Sequence, residues 1–321
     1  YLDTSFTVQF FRGIFLASAL FVCAPYITLF FKAEAALPVL QIISIAVFIQ
    51  GLSSVAMVYI SKELEFKKYF FYQISGTITD FLVSVVLAFI LRNVWALAYG
   101  FLAGAAIRSA FSYLFYFYIP KLRFDFTKIK ELFSYGKWVF GSNIVGFFIT
   151  QIDSFFVAKL SGVSSLGFYQ IAYKVPGILG VEVLAGAIFP AFSKIQDNIL
   201  KLKEGYLKII KLSFFILFPM ASGIFVVSAD FIILFLGTNW LPAVWPMRLL
   251  SLATLFWTFA VISDYLFLAV GKPHLQVKWT SIKLLILFVL LYPMVSSYGF
   301  FGASAAVLIG SLISAIGFIF E

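Results

Sequence analysis

The chain reads as an all-α polytopic transmembrane helix bundle, with two parallel-repeat lobes around a central cavity. Three observations predict this. Apolar residues make up 63% and charged residues 12% of its 321 positions, whereas soluble domains run near 45–50% and about 25%. The apolar residues gather into ten runs, most of them close to the ~20 residues that a spanning helix needs. Segments from the first part of the chain also recur about 206 residues later.

The expected spans are 8–31, 37–60, 70–91, 94–119, 133–159, 166–190, 207–228, 243–270, 279–296 and 298–320. Loops of alternating charge separate them. Sixteen of the 23 Lys and Arg residues fall into four groups, 62–68, 121–137, 194–211 and 272–283, the last being Lys272, Lys278 and Lys283. An excess of Lys and Arg marks cytoplasmic loops, so these four groups are placed in the cytoplasm. The net charge of +9 is then an orientation signal against an anionic leaflet. Nucleic-acid binding is the poorer explanation, and no nucleic-acid partner is expected.

The repeat supports a two-lobe plan. Ala24 to Phe30 resembles Ala229 to Phe235, Ile43 to Ala46 resembles Leu250 to Ala253, and WALAYGFLAG from Trp95 resembles FGASAAVLIG from Phe301. Six spans separate each pair, which keeps both copies in one orientation, a parallel repeat about an axis along the membrane normal. Residues 1–119 are therefore read as an N-terminal lobe of four helices whose first two are missing. Residues 120–132 form a cytoplasmic interfacial linker, and 133–321 a six-helix C-terminal lobe. The hairpin of 133–190 would have its N-terminal counterpart before Tyr1, so the chain is read as part of a longer protein.

Within that hairpin an apolar helix carries Asp153 and turns at Lys159–Gly162. A second helix carries Lys174 and Glu182, is interrupted at Pro176-Gly177, and ends at Pro190. Charges and a Pro-Gly break are tolerated in a bilayer where they line a polar cavity or pack inside a bundle.

Enzyme signatures are lacking. There is no HExxH, no phosphate-binding loop and no nucleophile elbow, and lone Cys23 and His274 build neither a disulfide framework nor a zinc site. No enzyme activity, cofactor or metal is expected. The informative residues are instead the ionisable groups inside spans: Arg12, Asp80, Arg108, Asp153, Lys174, Glu182 and Asp264. Each costs several kcal/mol facing lipid and is expected to face inward. Gln73, Thr77, Asp80 and Ser84 form one polar stripe at helical spacing, and Asn143, Gly146, Thr150 and Asp153 another. Similar depths predict the pairs Asp80–Arg108 and Asp153–Lys174. Arg12, Arg108 and Lys174 are candidates for holding the phosphates of an anionic lipid head group by charge-assisted bonds. Tyr169 and Tyr173, four apart on one face, are candidates for packing on sugar rings. Asp80, Asp153, Glu182 and Asp264 are candidates for ion coupling or gating.

Several motifs carry a family resemblance. They are Asp153, Leu166-Gly167-x-Tyr169-x-x-Ala172, Phe189-Pro190-Ala191-Phe192-Ser193 with Gln196-Asp197, Leu2-Asp3-Thr4-Ser5-Phe6 with Arg12-Gly13, and Phe133-Ser134-Tyr135-Gly136. Lys62-Glu-Leu-Glu-Phe66, Leu236-Gly237 with Trp240, and Ala269-Val-Gly-Lys272 also fit. The chain resembles the Wzx-type polysaccharide and O-antigen flippases, in the branch handling colanic-acid-like and teichuronic-acid-like polymers. It departs from them in having Lys62 where that family often has Arg. The resemblance implies a fourteen-helix member of the multidrug/oligosaccharidyl-lipid/polysaccharide exporter superfamily, of which this chain is helices three to twelve. It also implies a bacterial cytoplasmic (inner) membrane protein that moves undecaprenyl-diphosphate-linked oligosaccharides by alternating access for polysaccharide and lipopolysaccharide biosynthesis. Membrane lipids, a polysaccharide polymerase and glycosyltransferases are the expected partners. The alternatives are a drug/cation antiporter of the same superfamily or, from another class, a membrane glycan polymerase or ligase.

Overall fold

The computed structural model describes residues 2–63, 65–115, 118, 120–178 and 182–320. They are helical almost throughout, with no strand among the described residues. Six helical stretches among them are long and apolar enough to cross a membrane, so this is a multi-pass membrane protein. The chain divides into two compact units, Tyr1–Ile144 and Val145–Glu321. The division falls inside a helix rather than at the 120–132 segment.

Unit 1 contains α1 (Leu2–Phe30), α2 (Leu37–Gly51), the short α3 (Met57–Lys62), α4 (Phe66–Leu91) and α5 (Trp95–Phe115). Residues 120–125 are non-helical, and α6 (Phe126–Ser161) begins within the expected linker and continues into unit 2.

The expected span 37–60 is broken. Polar groups of two neighbouring helices hold the irregular backbone between α2 and α3. The Gln9 amide donates to the carbonyls of Gly51 (3.3 Å) and Ser53 (2.8 Å). The Ser54 N–H donates to Ser112 Oγ (2.7 Å), and the Tyr113 hydroxyl donates to the Leu52 carbonyl (2.5 Å). Hydrocarbon supplies no such partners, so a break at membrane depth needs protein around it. α1 approaches α2 closely enough to reach it because a Cβ on Gly13 would stand 2.9 Å from Gly51 Cα. Small residues allow this proximity between membrane helices.

The start of α1 is also bonded to the chain that follows α5. Asp3 Oδ1 accepts from the Tyr118 hydroxyl and from the Lys121 N–H (2.9 Å), and Thr7 Oγ1 accepts from the Arg123 N–H (2.9 Å). The ring of Phe124 packs on Phe11.

Unit 2 contains the end of α6, α7 (Val163–Gly177), α8 (Glu182–Ile195), α9 (Ile199–Phe235), α10 (Val244–Ala269) and α11 (Pro273–Ile319). α6 turns into α7 at Gly162, whose φ of +90° suits a residue without Cβ. α7 ends at Gly177 as the Pro-Gly break predicts, but α8 runs five residues past Pro190 rather than ending there. Proline removes one backbone donor, a loss that membrane helices accommodate. α9 starts earlier than the expected span because Lys201, Lys203, Lys208 and Lys211 continue the helix, with the Asn198 side chain capping its first turn (3.0 Å to the Lys201 N–H).

α11 is one element folded at Gly299 (φ +60°, ψ −144°) into two arms, 273–298 and 300–319. A Cβ at Gly302 would strike Met294, one at Gly310 would touch Leu287, and one at Gly317 would strike Trp279. These pairs run in opposite directions, so the arms are antiparallel, as expected for spans 279–296 and 298–320. The main core of the unit gathers Ile152, Val157, Tyr169, Met247, Leu291 and Val295 from α6, α7, α10 and α11.

Gly13→Leu is expected to destabilise the protein by about 1–3 kcal/mol, the usual cost of overpacking. Thermal unfolding in detergent, compared with a lipid-facing control such as Phe15→Leu (Phe15 is 70% exposed), checks this.

Candidate functional site

In unit 1 the polar stripe of α4 faces α5 across a groove of glycines. Asp80 lies against Gly100 and Gly104, where a Cβ would stand 2.9 Å from Asp80 Oδ1 and 2.8 Å from its Cβ respectively. Its carboxylate accepts from Ser84 Oγ (3.2 Å). Arg108 packs one turn away against Gly76 and donates from Nη2 to Thr77 Oγ1 (3.4 Å), while its buried Nε has no hydrogen-bond partner. Among the described residues no ion pair joins Asp80 to Arg108. The register of α4 on α5 offsets them by a turn, so each bonds a hydroxyl instead, and Arg108 Nε is left without a partner.

In unit 2 Asp153 is 5% exposed, and its partner is Tyr169 rather than Lys174. The Tyr169 hydroxyl donates to Asp153 Oδ2 (2.6 Å), and the Ser154 N–H donates to Oδ1 (2.6 Å). Gln170 donates to Ser154 Oγ (2.8 Å), which extends the bonding along the α6–α7 hairpin. The short turn at Gly162 sets this register, bringing position 169 opposite 153 and leaving 174 beyond it. Tyr169 is 0% exposed, so no ring face is open to a sugar in this conformation. The ring of Tyr173 lies 6.1 Å from that of Tyr169 and is itself exposed.

Arg12 on α1 and Lys174 on α7 are exposed, and no described protein group pairs with either. Asp264 on α10 is half-buried, with Oδ1 shielded from solvent and lacking a hydrogen-bond donor. The side chain of Glu182 lies outside the described residues. Of the other expected stripe, Asn143, Gly146 and Thr150 are exposed, and only Asp153 is buried.

Two cations that sequence reasoning left among loops and helix edges turn out to be structural participants. Arg248 on α10 donates from Nε to the Phe225 carbonyl and Ser228 Oγ (both 3.0 Å), and its guanidinium lies 4.9 Å from the Trp245 ring. Lys283 is inside the first arm of α11, half-buried, with its ammonium interacting with the charges of Asp153 and Asp264. The signal was available, because Lys283 falls within the expected span 279–296.

Apolar helices of spanning length and a glycine-hinged hairpin define a multi-pass helical membrane fold. Consistent with this, solved transporters share it. The inward closed conformation of the lipid II flippase MurJ superposes with a TM-score of 0.84 at 16% identity, covering 100% of this chain and 71% of that one. An inward-facing multidrug resistance MATE family transporter of the MOP superfamily gives 0.76 at 15%, covering 99% and 80%. Residues 1–245 match the family described as "Polysaccharide biosynthesis protein", and the chain belongs to that family. It is 25% identical over 280 residues to the lipopolysaccharide biosynthesis protein WzxC of Escherichia coli K12, covering 84% of this chain and 56% of that protein. It is 24% identical over 297 residues to the teichuronic acid biosynthesis protein TuaB of Bacillus subtilis 168, covering 89% and 60%. The chain thus spans somewhat more than half the length of these relatives.

Replacing Tyr169 by Phe removes the donor to Oδ2 of the buried Asp153 and is expected to cost about 1–3 kcal/mol. In a double-mutant cycle with Asp153→Asn, the two losses should be less than additive, read as thermal unfolding of the detergent-solubilised protein.

Proposed function

We propose that this chain belongs to a flippase that carries lipid-diphosphate-linked oligosaccharides across the bacterial cytoplasmic membrane for polysaccharide export. Membership of the polysaccharide biosynthesis family supplies the glycan, and the names of its relatives point to lipopolysaccharide and teichuronic acid assembly. The observation that carries the reading is geometric: Arg12 and Lys174 stand exposed on apolar helices with no described protein partner. A cation in that setting is costly unless it meets an anion or water. A diphosphate head group is an anion able to accept charge-assisted bonds from both residue types.

In this reading Arg12 and Arg108 of unit 1 and Lys174 of unit 2 are each phosphate-binding candidates, and Tyr173 of unit 2 is the candidate aromatic face for sugar. Tyr169 supports the site from behind through Asp153. The two expected lobes, 1–119 and 133–321, expose the cargo alternately to each side, and the cationic loops face the cytoplasm. Undecaprenyl diphosphate is the proposed carrier, and glycosyltransferases and a polymerase act before and after the step. Translocation makes and breaks no covalent bond, so no catalytic residue is assigned.

The test is complementation in a bacterium lacking its own polysaccharide flippase, using the full-length protein that carries this chain. Surface polymer should return with the unaltered protein and fall about tenfold or more with Lys174→Ala or Arg12→Ala at equal membrane levels, in line with the loss of a charged hydrogen bond. Polymer undiminished by either change would remove both cations from the site. Drug resistance without polymer would favour an antiporter.

A further inference from the structure

Lys283 is held between two packed clusters on the first arm of α11. One turn before it, Trp279 meets Phe318 (6.2 Å between ring centres), which stacks on Phe267 of α10 (5.8 Å). Asp264 is three residues before Phe267 and four after Ala260, and both of these belong to that cluster. Helical spacing therefore turns Asp264 towards α11. One turn after Lys283, Leu287 shares the main core with Ile152, and the ring of Phe288 meets that of Phe156 (6.0 Å). Ile152 and Phe156 bracket Asp153 on α6. Behind Lys283, the stem of its side chain lies along Gly310 of the second arm, where a Cβ would be 3.9 Å away.

An ammonium thus sits among three elements with an acid on each of two of them, and it interacts electrostatically with both. It makes no ion pair within 4.0 Å with either. Asp153 is already bonded by Tyr169, whereas Asp264 Oδ1 is buried without a donor. One cation cannot fully satisfy two carboxylates on different helices, so closer approach to one leaves the other less compensated.

We propose that Lys283 is a counter-cation shared by Asp153 and Asp264, a positioning residue whose closer approach to one acid or the other sets how α6 and α10 stand against the α11 hairpin. The charge sharing is independent of the cargo, and only its consequence for transport rests on the flippase reading. Lys283→Met keeps most of the side-chain volume and removes the charge, leaving two acids without their cation. Asp264→Asn removes the competing acid and leaves Lys283 to Asp153.

The experiment compares the full-length protein with Lys283→Met, Lys283→Arg, Asp264→Asn and the Lys283→Met/Asp264→Asn double variant. Thermal midpoint in detergent and surface polymer at equal membrane level are both measured. Lys283→Met should lower the midpoint by several degrees and polymer at least tenfold, Lys283→Arg should retain most of both, and the double variant should recover midpoint relative to Lys283→Met. Asp264→Asn alone should raise the midpoint while lowering polymer, a split that a purely structural charge pair would not produce. The proposal is overturned if Lys283→Met matches the unaltered protein, or if the double variant is less stable than Lys283→Met. It is also overturned if Asp264→Asn changes neither quantity. Absence of polymer from the unaltered protein would count against the flippase reading, while the midpoints would still decide whether the charge is shared.

Discussion

The inside of a bilayer offers no hydrogen-bond donor or acceptor, and the arrangement of unit 1 follows from that constraint. A continuous helix satisfies its own backbone, but the chain between α2 and α3 does not. Its exposed groups are met by Gln9, Ser112 and Tyr113, two of them one residue apart on α5. Those bonds need α1 and α5 close to the break, and closeness to α1 in turn needs Gly13 against Gly51. A few small and polar residues thus make an interrupted helix compatible with a membrane, and they also fix which helices are neighbours.

The same constraint sorts the charges. Asp153, Asp80 and Arg248 are each held by groups on an adjacent turn or helix: a tyrosine, a serine, and a carbonyl with a serine and an aromatic face. These residues are spent on packing. Arg12 and Lys174 have no described protein partner and stand exposed. The distinction matters because an intramembrane charge alone does not mark a binding site. A charge whose compensation is missing within the protein does so more strongly, since the cost of its desolvation must be offset by something else.

Much of the fold was legible in the sequence because apolar length and cation placement are long-range signals that survive local irregularity. The helices around 70–91, 94–119 and 243–270, and the pair that became the α11 hairpin, lie close to where hydropathy puts them. The break at 52–56 was not legible, because Gly51-Leu52-Ser53-Ser54 is polar enough to bend only when Gln9 and Ser112 are beside it, and neither is near it in sequence. Helix α9 outran its apolar core because lysines are good helix formers outside the membrane. For the candidate site, spacing identified Asp153 and Tyr169 but not that they bond each other. That bond depends on the tightness of the turn at Gly162, and depth arithmetic along separate helices favoured Lys174 instead. Lys283 was missed because a lysine four residues into an expected span was grouped with the loop cations before it.

The bonds from Asp3 and Thr7 to Tyr118, Lys121 and Arg123 bridge 115 to 118 residues of sequence. A ribosome must therefore deliver all of α1 to α5 before the first helix can acquire these partners. Until then the opening turns of α1 lack these partners and rest on the second helix and the chain just after it, through Gln9 to Gly51 and Ser53 and Phe10 to Phe48. The closure is thus a completion step: unit 1 reaches its final packing as α5 is released, and α6 starts only a few residues later at Phe126. The segment that leads from α5 into α6 is also the segment that finishes assembling unit 1.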